Sequence, residues 1–488
     1  MSEREPFRIE PHVWRIASVV VLGSIMSILD TTIVNVALAT LGRDLHATLA
    51  SIQWVLTGYL LSLAAVIPLT GWAARRFGPK NVYIVALVLF TLGSVLCGLA
   101  SSVTELTVFR VLQGLGGGML LPIGQLMMAS AAGPQRMGRV MSIVAIPAML
   151  APILGPMIGG LIVDNASWRW IFFVNLPVGI LALAMAFRFL PHGERAPAQR
   201  LDVTGFVLMS LGLPLVTYGL AEIGTTGHFL VPRVLLPLLA GIALVAVFAV
   251  HALRTRYPLL DLRLYRRPTF ASASATMFFL GAAMFGGMIL LPLYLQEIRG
   301  ESVLDTGLLT APMGLGMVVV LPLVGRLTDR YGGGPLALFG IALTSIATIP
   351  FALISATTSL WWLSAALVFR GIGVGFAFMP AMTAAFASLQ RSELPDATPQ
   401  MNVLQRVGGS IGTAVLAVVL QRALSGAVSP AHAYGVAFGW SLGLTAVAIV
   451  PTLVLLRAER AARRAKAVDT LPATVAEPLL ETPLMETA

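Results

Sequence analysis

The sequence predicts an all-α polytopic membrane protein, with fourteen transmembrane helices forming two six-helix bundles and a further helix pair inserted between them. Three observations carry this. Apolar residues make up 57% of the 488 and charged residues 11%, whereas about 25% of a soluble domain is charged. Apolar runs of about 20 residues, enough to cross roughly 30 Å of hydrocarbon, recur along the whole chain, without the short alternating segments of a membrane barrel. The chain also repeats itself: Gly71-Trp72-Ala73-Ala74-Arg75-Arg76-Phe77-Gly78 is echoed by Gly325-Arg326-Leu327-Thr328-Asp329-Arg330-Tyr331-Gly332, and Val108-Phe109-Arg110 by Val368-Phe369-Arg370.

In order, the first span (16–38) holds Asp30 and Asn35. These polar residues interrupt the run, so Ala37-Leu38-Ala39 is read as part of an uncleaved helix rather than a signal-peptide end. The second (52–73) contains Gln53 and Tyr59 and runs into the first Gly-bounded turn, and the third (81–101) carries Cys97, the only cysteine. The fourth (105–131) holds Arg110, Gln113, the glycines 114 and 116–118, Pro122 and Gln125; the fifth (137–163) holds Gly155-Pro156-Met157-Ile158-Gly159-Gly160. A sixth (169–190) completes the first half. Spans at 203–222 and 232–253 have no repeat partner and are bracketed by polar stretches, so they read as the insertion. The second half follows at 269–293, 305–327, 335–355, 360–386, 400–424 and 433–457. The expected division is a cytoplasmic segment 1–15, bundles 16–190 and 269–457, an inserted unit 191–268 and a disordered tail 458–488.

A net charge of +10 raises the question of nucleic acid, but the placement of the charges answers it. Arg43, Arg169, Arg233, Arg299 and Arg422 fall in or at the edges of alternate loops, and Arg110, Arg370 and Arg406 well within spans; the rest of the 32 Lys and Arg lie in or at the edges of the other loops and in the termini. That asymmetry is the positive-inside pattern, with both termini cytoplasmic and the bilayer, not nucleic acid, as the partner. Six scattered histidines lack metal-ligand spacing, and no Gly-x-x-x-x-Gly-Lys-Ser/Thr loop is present, so no metal, cofactor, ATP-driven or enzymatic chemistry is expected.

A carboxylate at the depth of Asp30 is costly in a bilayer, so it should face a protein cavity. A carboxylate there that a proton can neutralise is a candidate proton carrier. Arg110 needs an acceptor or an anionic partner in apolar surroundings, and beside Asp30 it would favour the ionised form. Matched halves around such groups are the pattern of a secondary transporter with its site near the midplane, driven here by the proton gradient. The remaining polar residues within spans are cavity candidates: Asn35, Gln53, Tyr59, Gln113, Gln125, Tyr294, Asn402, Gln405 and Arg406.

Leu29-Asp30-Thr31-Thr32-Ile33-Val34-Asn35-Val36-Ala37-Leu38, Trp168-Arg169-Trp170-Ile171-Phe172-Phe173-Val174-Asn175-Leu176-Pro177-Val178-Gly179, Leu201-Asp202-Val203-Thr204-Gly205, Pro258-Leu259-Leu260-Asp261-Leu262-Arg263-Leu264 and Asn402-Val403-Leu404-Gln405-Arg406-Val407-Gly408-Gly409-Ser410-Ile411-Gly412 occur in that order. Together they resemble the fourteen-helix drug:proton antiporter branch of the major facilitator superfamily, over about residues 14–457. The resemblance implies export of amphipathic or cationic small molecules from the bacterial inner membrane, with Asp30 and Arg110 in proton coupling. It also implies that Gly155, Pro156, Gly159 and Gly160 help close the cavity, and that the turns at Gly71, Gly78, Gly325, Asp329, Arg330 and Gly332 control a cytoplasmic gate. A periplasmic adaptor and outer-membrane channel remain possible partners.

The chain departs from the family where Arg75 stands in place of an acid and Pro79 in place of a basic residue. A latch is therefore expected at Asp329 rather than at Arg75. Uptake in symport with protons, or a non-transporting receptor on the same fold, also fits the residues alone. Topology is testable first: reporter fusions at residues 196 and 262 should both score cytoplasmic and one near 227 external, whereas opposite scores at 196 and 262 would remove the inserted pair.

Overall fold

The computed structural model describes residues 10–133, 136–191, 200–226, 230–426 and 429–469. Seventeen α-helices occur among them, and no strand. The first half comprises α1 (Pro11–Asp44), α2 (Leu49–Val66), α3 (Leu69–Phe77), α4 (Pro79–Leu99), α5 (Val103–Ala132), α6 (Met137–Asn165), α7 (Trp170–Phe173) and α8 (Asn175–Phe189). Then come α9 (Val203–Thr226) and α10 (Pro232–Arg254). The second half comprises α11 (Pro268–Leu293), α12 (Val303–Tyr331), α13 (Gly333–Ala352), α14 (Leu360–Ala387), α15 (Leu394–Leu424), α16 (Pro430–Val447) and α17 (Ile449–Asp469). Twelve helices among the described residues are long and apolar enough to cross a membrane, and thirteen if α2 and α3 count as one span bent by 56°. The 29-residue α6 stands outside that count, and part of its side chains lie outside the described residues.

Several expected spans are broken where the chain chemistry requires it. Pro68 separates α2 from α3, since a proline cannot donate the backbone hydrogen bond that would carry the helix on. The sixth span is α7 and α8, and the fourteenth is α16 and α17. The tail expected from residue 458 is instead helical to Asp469. Its anchor is Glu459, whose carboxylate accepts the Gly333 and Gly334 amides at 2.9 and 2.7 Å and so satisfies orphan donors at the start of α13. Residues 470–488 lie outside the described residues.

The two Gly-bounded turns are built alike. Gly78 (φ 83°) ends α3 and Gly332 (φ 95°) ends α12, each in a conformation that favours glycine at a helix C-terminus. Gly71 and Gly325, seven residues before them, permit backbone contacts between the halves. A Cβ on Gly71 would stand 2.2 Å from the Pro395 carbonyl oxygen at the start of α15. One on Gly325 would stand 2.8 Å from the Arg139 Cα at the start of α6. The face carrying these turns also holds Glu10, which pairs with Arg136, and Glu459, so both ends of the described chain lie on it. This is the inner face.

α9 and α10 form a hairpin laid across the seam between α2 and α15. Ser210 on α9 donates to the Ala65 carbonyl on α2 (2.9 Å), and Tyr218 stacks on Trp54. Val216, Leu220 and Ile223 pack with Ala414 and Val418 of α15. On the opposite seam, α6 packs directly along α12.

Without a hydrophobic driving force between helices in lipid, such contacts depend on close packing of small residues. At Gly116 a Cβ would meet the Phe90 nitrogen at 2.5 Å and the Ala86 carbonyl oxygen at 2.7 Å, so α4 and α5 touch backbone to backbone. Gly116→Val should lower stability by about 1–3 kcal/mol, read as a lower unfolding midpoint of purified protein; an unchanged midpoint would contradict this packing.

Candidate functional site

Asp30 lies on α1 at 1% exposure and Arg110 on α5 at 0%. The guanidinium forms a salt bridge to one carboxylate oxygen through Nη1. Gln113 Nε2 donates to the other at 2.9 Å, and Asn175 Nδ2 at 3.3 Å. Arg110 also donates through Nε to the Val55 carbonyl (3.3 Å) and through Nη1 to Gln113 Oε1 (2.9 Å). The ring of Tyr59 lies 4.1 Å from its central carbon, giving a cation–π contact away from water.

Four helices supply this cluster, and each residue in turn is held. Tyr59 donates to the Ser27 carbonyl (3.2 Å). Asn175, at the start of α8, also donates to Ser94 Oγ, which donates to the Phe172 carbonyl. Cys97 is buried and its thiol faces Gln113 Oε1 at 3.6 Å. Asp30 thus accepts three side-chain donors, each fixed by a second contact. Such a carboxylate is held by direction as well as by charge.

A second polar group crosses between the halves. Asn402 on α15 donates to Gln125 Oε1 on α5 at 2.7 Å, and Gln125 Nε2 lies 3.9 Å from the Met382 sulfur on α14. Gln405 and Arg406 follow on α15, both half-buried. Tyr294 belongs elsewhere: it donates to the Ser355 carbonyl (2.6 Å) and meets Tyr434 edge-on in a separate cluster. Asn35 and Gln53 are exposed. Asn35 is five residues beyond Asp30, about 140° around the helix, and so faces away from the cluster.

In α6, Gly155 packs against α1: a Cβ there would lie 1.9 Å from Thr32 Oγ1. Gly159 faces Ile33 (3.2 Å to its carbonyl oxygen), while Gly160 opens onto space and makes no close approach. The side chain of Pro156 lies outside the described residues.

The inner face corrects the expectation for Arg75. Its Nη1 lies 2.6 Å from Asp396 Oδ1 in the first turn of α15, so this residue does tie the halves together, with the charges reversed. The contact is electrostatic rather than a directed hydrogen bond. On the other side, Asp329 accepts the Gly138 amide at 2.8 Å, at the start of α6, and Arg139 Nε stands 3.5 Å away. A carboxylate therefore sits at the positive end of each helix. For α6 it comes from the facing turn; for α15 it is the helix's own Asp396, and Arg75 comes from the turn. Arg330 is exposed over Tyr331 and takes no part.

The sequence pattern of the Major Facilitator Superfamily matches residues 20–413. The chain belongs to the major facilitator superfamily. It is 40% identical over 418 residues, 85% of this chain and 77% of the relative, to a protein of Mycobacterium tuberculosis named multidrug resistance protein B homolog. It is 31% identical over 420 residues to the putative multidrug resistance protein MdtD of Pectobacterium atrosepticum, covering 85% and 88% of the two chains. These relatives are consistent with the drug:proton antiporter branch that the motifs resemble. The human organic anion transporter MFSD10 shares the fold at 15% identity (TM-score 0.64, 91% of this chain and 100% of that one). So does the proton:xylose symporter XylE, also at 15% identity (TM-score 0.62, 91% and 95%). This superfamily member is a multi-pass membrane transporter of small molecules.

Sequence reasoning missed Asn175, Ser94 and Asp396. Asn175 carried a signal, an amide inside an apolar span, but was read only as part of a motif. The reversed latch can be tested by its symmetry. Arg75→Asp sets two acids together and should weaken the closed inner face by about 1–3 kcal/mol, slowing transport. Adding Asp396→Asn should restore much of the rate, because a turn carboxylate would then meet α15 as Asp329 meets α6. No loss in the single variant would remove Arg75 from the gate.

Proposed function

We propose that this transporter is a proton-driven antiporter that exports amphipathic or cationic small molecules across the bacterial cytoplasmic membrane, with its termini and inner face on the cytoplasmic side. The observation that carries the reading is the buried Asp30, bound by Arg110, Gln113 and Asn175. A proton on this carboxylate removes the charge that pairs Arg110 and converts one acceptor oxygen into a donor. Donors from α5 and α8 then lose a partner on α1, and α1 is also the helix against which Gly155 of α6 packs. Protonation would thus loosen the attachment of the first helix of the N-terminal half.

The ion pairs and hydrogen bonds that join the halves lie towards the inner face: Arg75–Asp396, Asp329 with Gly138 and Arg139, and Gln125–Asn402. This suits an arrangement closed to the cytoplasm, in which a proton arrives from outside. In the export cycle the protonated form rocks, the inner charge pairs separate, and substrate enters as the proton leaves. The names of the multidrug resistance relatives favour export over uptake. A neutral Asn at position 30 would hold one state permanently.

The test is transport by reconstituted protein under an imposed pH gradient, with a chemically diverse substrate panel. Asp30→Asn should fold, retain substrate binding and show only the leak rate of gradient-driven flux. Arg110→Ala should fail as well, whereas Arg110→Lys should keep part of the coupling, because the charge survives without the planar fork. Normal gradient-driven flux by Asp30→Asn would refute the coupling role.

A further inference from the structure

The last helix, α17, has two opposite faces with different partners. On one, Thr452 and Leu455 are fully buried, and Thr452 shares a hydrogen bond with Thr276 of α11 (3.1 Å). One turn further on, Glu459 holds the Gly333 and Gly334 amides of α13. A Cβ on Gly334 would stand 2.7 Å from the Leu456 Cα, so the two helices touch backbone to backbone there. These contacts fix the rotation of α17 and carry it past the inner face as a helix.

The other face is exposed and changes character along its length. Val450 and Leu453 are followed by Arg457, Arg460 and Arg464, all exposed. At about 100° per residue, these five positions fall within an arc of about 80°, so they form one stripe. Glu459 sets their depth, because it meets the turn between α12 and α13 on the inner face. At about 1.5 Å per residue, Val450 and Leu453 lie about 9–14 Å deeper than Glu459, Arg457 about 3 Å deeper and Arg464 about 7.5 Å beyond it. The arginines therefore stand at headgroup level and the apolar residues at acyl-chain level. None of the three arginines has an ion pair among the described residues. Glu459 is the only acid between Val450 and Val468, and it is taken by the α13 amides and by Arg463 at 3.7 Å.

We propose that this stripe binds an anionic phospholipid of the leaflet at the inner face, with its acyl chains along Val450 and Leu453 and its phosphate among Arg457, Arg460 and Arg464. Guanidinium groups match phosphate oxygens with paired N–H donors. A zwitterionic headgroup brings its own cation and gains less from them. A soluble acidic partner would use the arginines and leave the apolar half of the stripe unmatched; a phospholipid fits both halves at once. The bound lipid steadies the end of the helix on which α13 begins. The Gly332 turn leans on the same helix end, since a Cβ on Gly332 would lie 2.4 Å from Arg463 Nη2. This inference depends neither on proton coupling nor on the direction of transport.

The test is lipid retention by the full chain, exchanged into bilayer discs of equal parts phosphatidylglycerol and phosphatidylcholine and then released for native mass spectrometry. An arginine near an anionic surface is worth about fivefold in lipid preference. The triple variant Arg457→Gln, Arg460→Gln, Arg464→Gln should therefore lower the wild-type preference for phosphatidylglycerol by roughly tenfold or more. A control that removes the same charge from exposed arginines at the inner end of the hairpin, Arg254→Gln, Arg256→Gln, Arg266→Gln, should keep that preference. In the wild type, exchange at about 1 M rather than about 0.1 M salt should erode it, because the pairing is at the surface. No preference in the wild type, an undiminished one in the triple variant, or an equal loss in the control would overturn the proposal. So would displacement of the retained lipid by inorganic phosphate, which would assign the arginines to a soluble anion. If the triple variant does not fold, the salt series decides: a wild-type preference that salt leaves unchanged refutes the site.

Discussion

Asp30 and Arg110 are ionised groups removed from water together. Desolvation of either alone would cost several kcal/mol, and their mutual attraction offsets this only if the remaining donors and acceptors are also satisfied. Most of that requirement is met by the surroundings of the pair: the amides of Gln113 and Asn175, the Val55 carbonyl and the Tyr59 ring line it, and only Arg110 Nη2 is left without a hydrogen-bond partner among the described residues. Residues of α1, α2, α5 and α8 are drawn to one point, so the state of one carboxylate is felt by four helices. A proton is the smallest change that can unbalance such an arrangement, and the proposed function uses this pair to couple a gradient to movement of the halves.

In the proposed cycle, the inner face provides what that movement must break and remake. Glycines 71, 138 and 325 let the backbones of the two halves meet, and charge pairs at the starts of α6 and α15 join the halves there. Here the pseudo-symmetry is kept in electrostatics although the residues differ. Both helices have a carboxylate at the positive end, donated across the seam in one case and carried by the helix itself in the other. The α9–α10 hairpin covers the α2–α15 seam, whereas at the other seam α6 packs directly along α12.

Much of this was legible in the sequence because a membrane makes polar residues conspicuous. Asp30, Arg110 and Gln113 stood out against apolar runs, and the glycine turns announced the repeat. What the sequence withheld was direction and partnership. Asn35 and Gln53 are as polar as Gln113 but point elsewhere, and composition does not record rotation about a helix axis. Tyr294 looked like a cavity residue, yet its hydroxyl is satisfied by a backbone carbonyl. Arg75 and Asp396 lie far apart in the chain, so a sequence shows two inner-face charges and not that they are a pair. The helical continuation to Asp469 depends on Glu459 finding the free amides of α13, again a contact without a local signal.

The central claim is that Asp30 exchanges its proton for substrate, and the most direct measurement is proton release on binding. Purified transporter in weakly buffered solution, with a pH-sensitive dye, would be titrated with an identified substrate from mildly acidic to neutral pH. The wild type should release protons as substrate binds, and the Asp30→Asn variant should bind without releasing any. Equal release by both, or none from the wild type at any pH, would contradict the account.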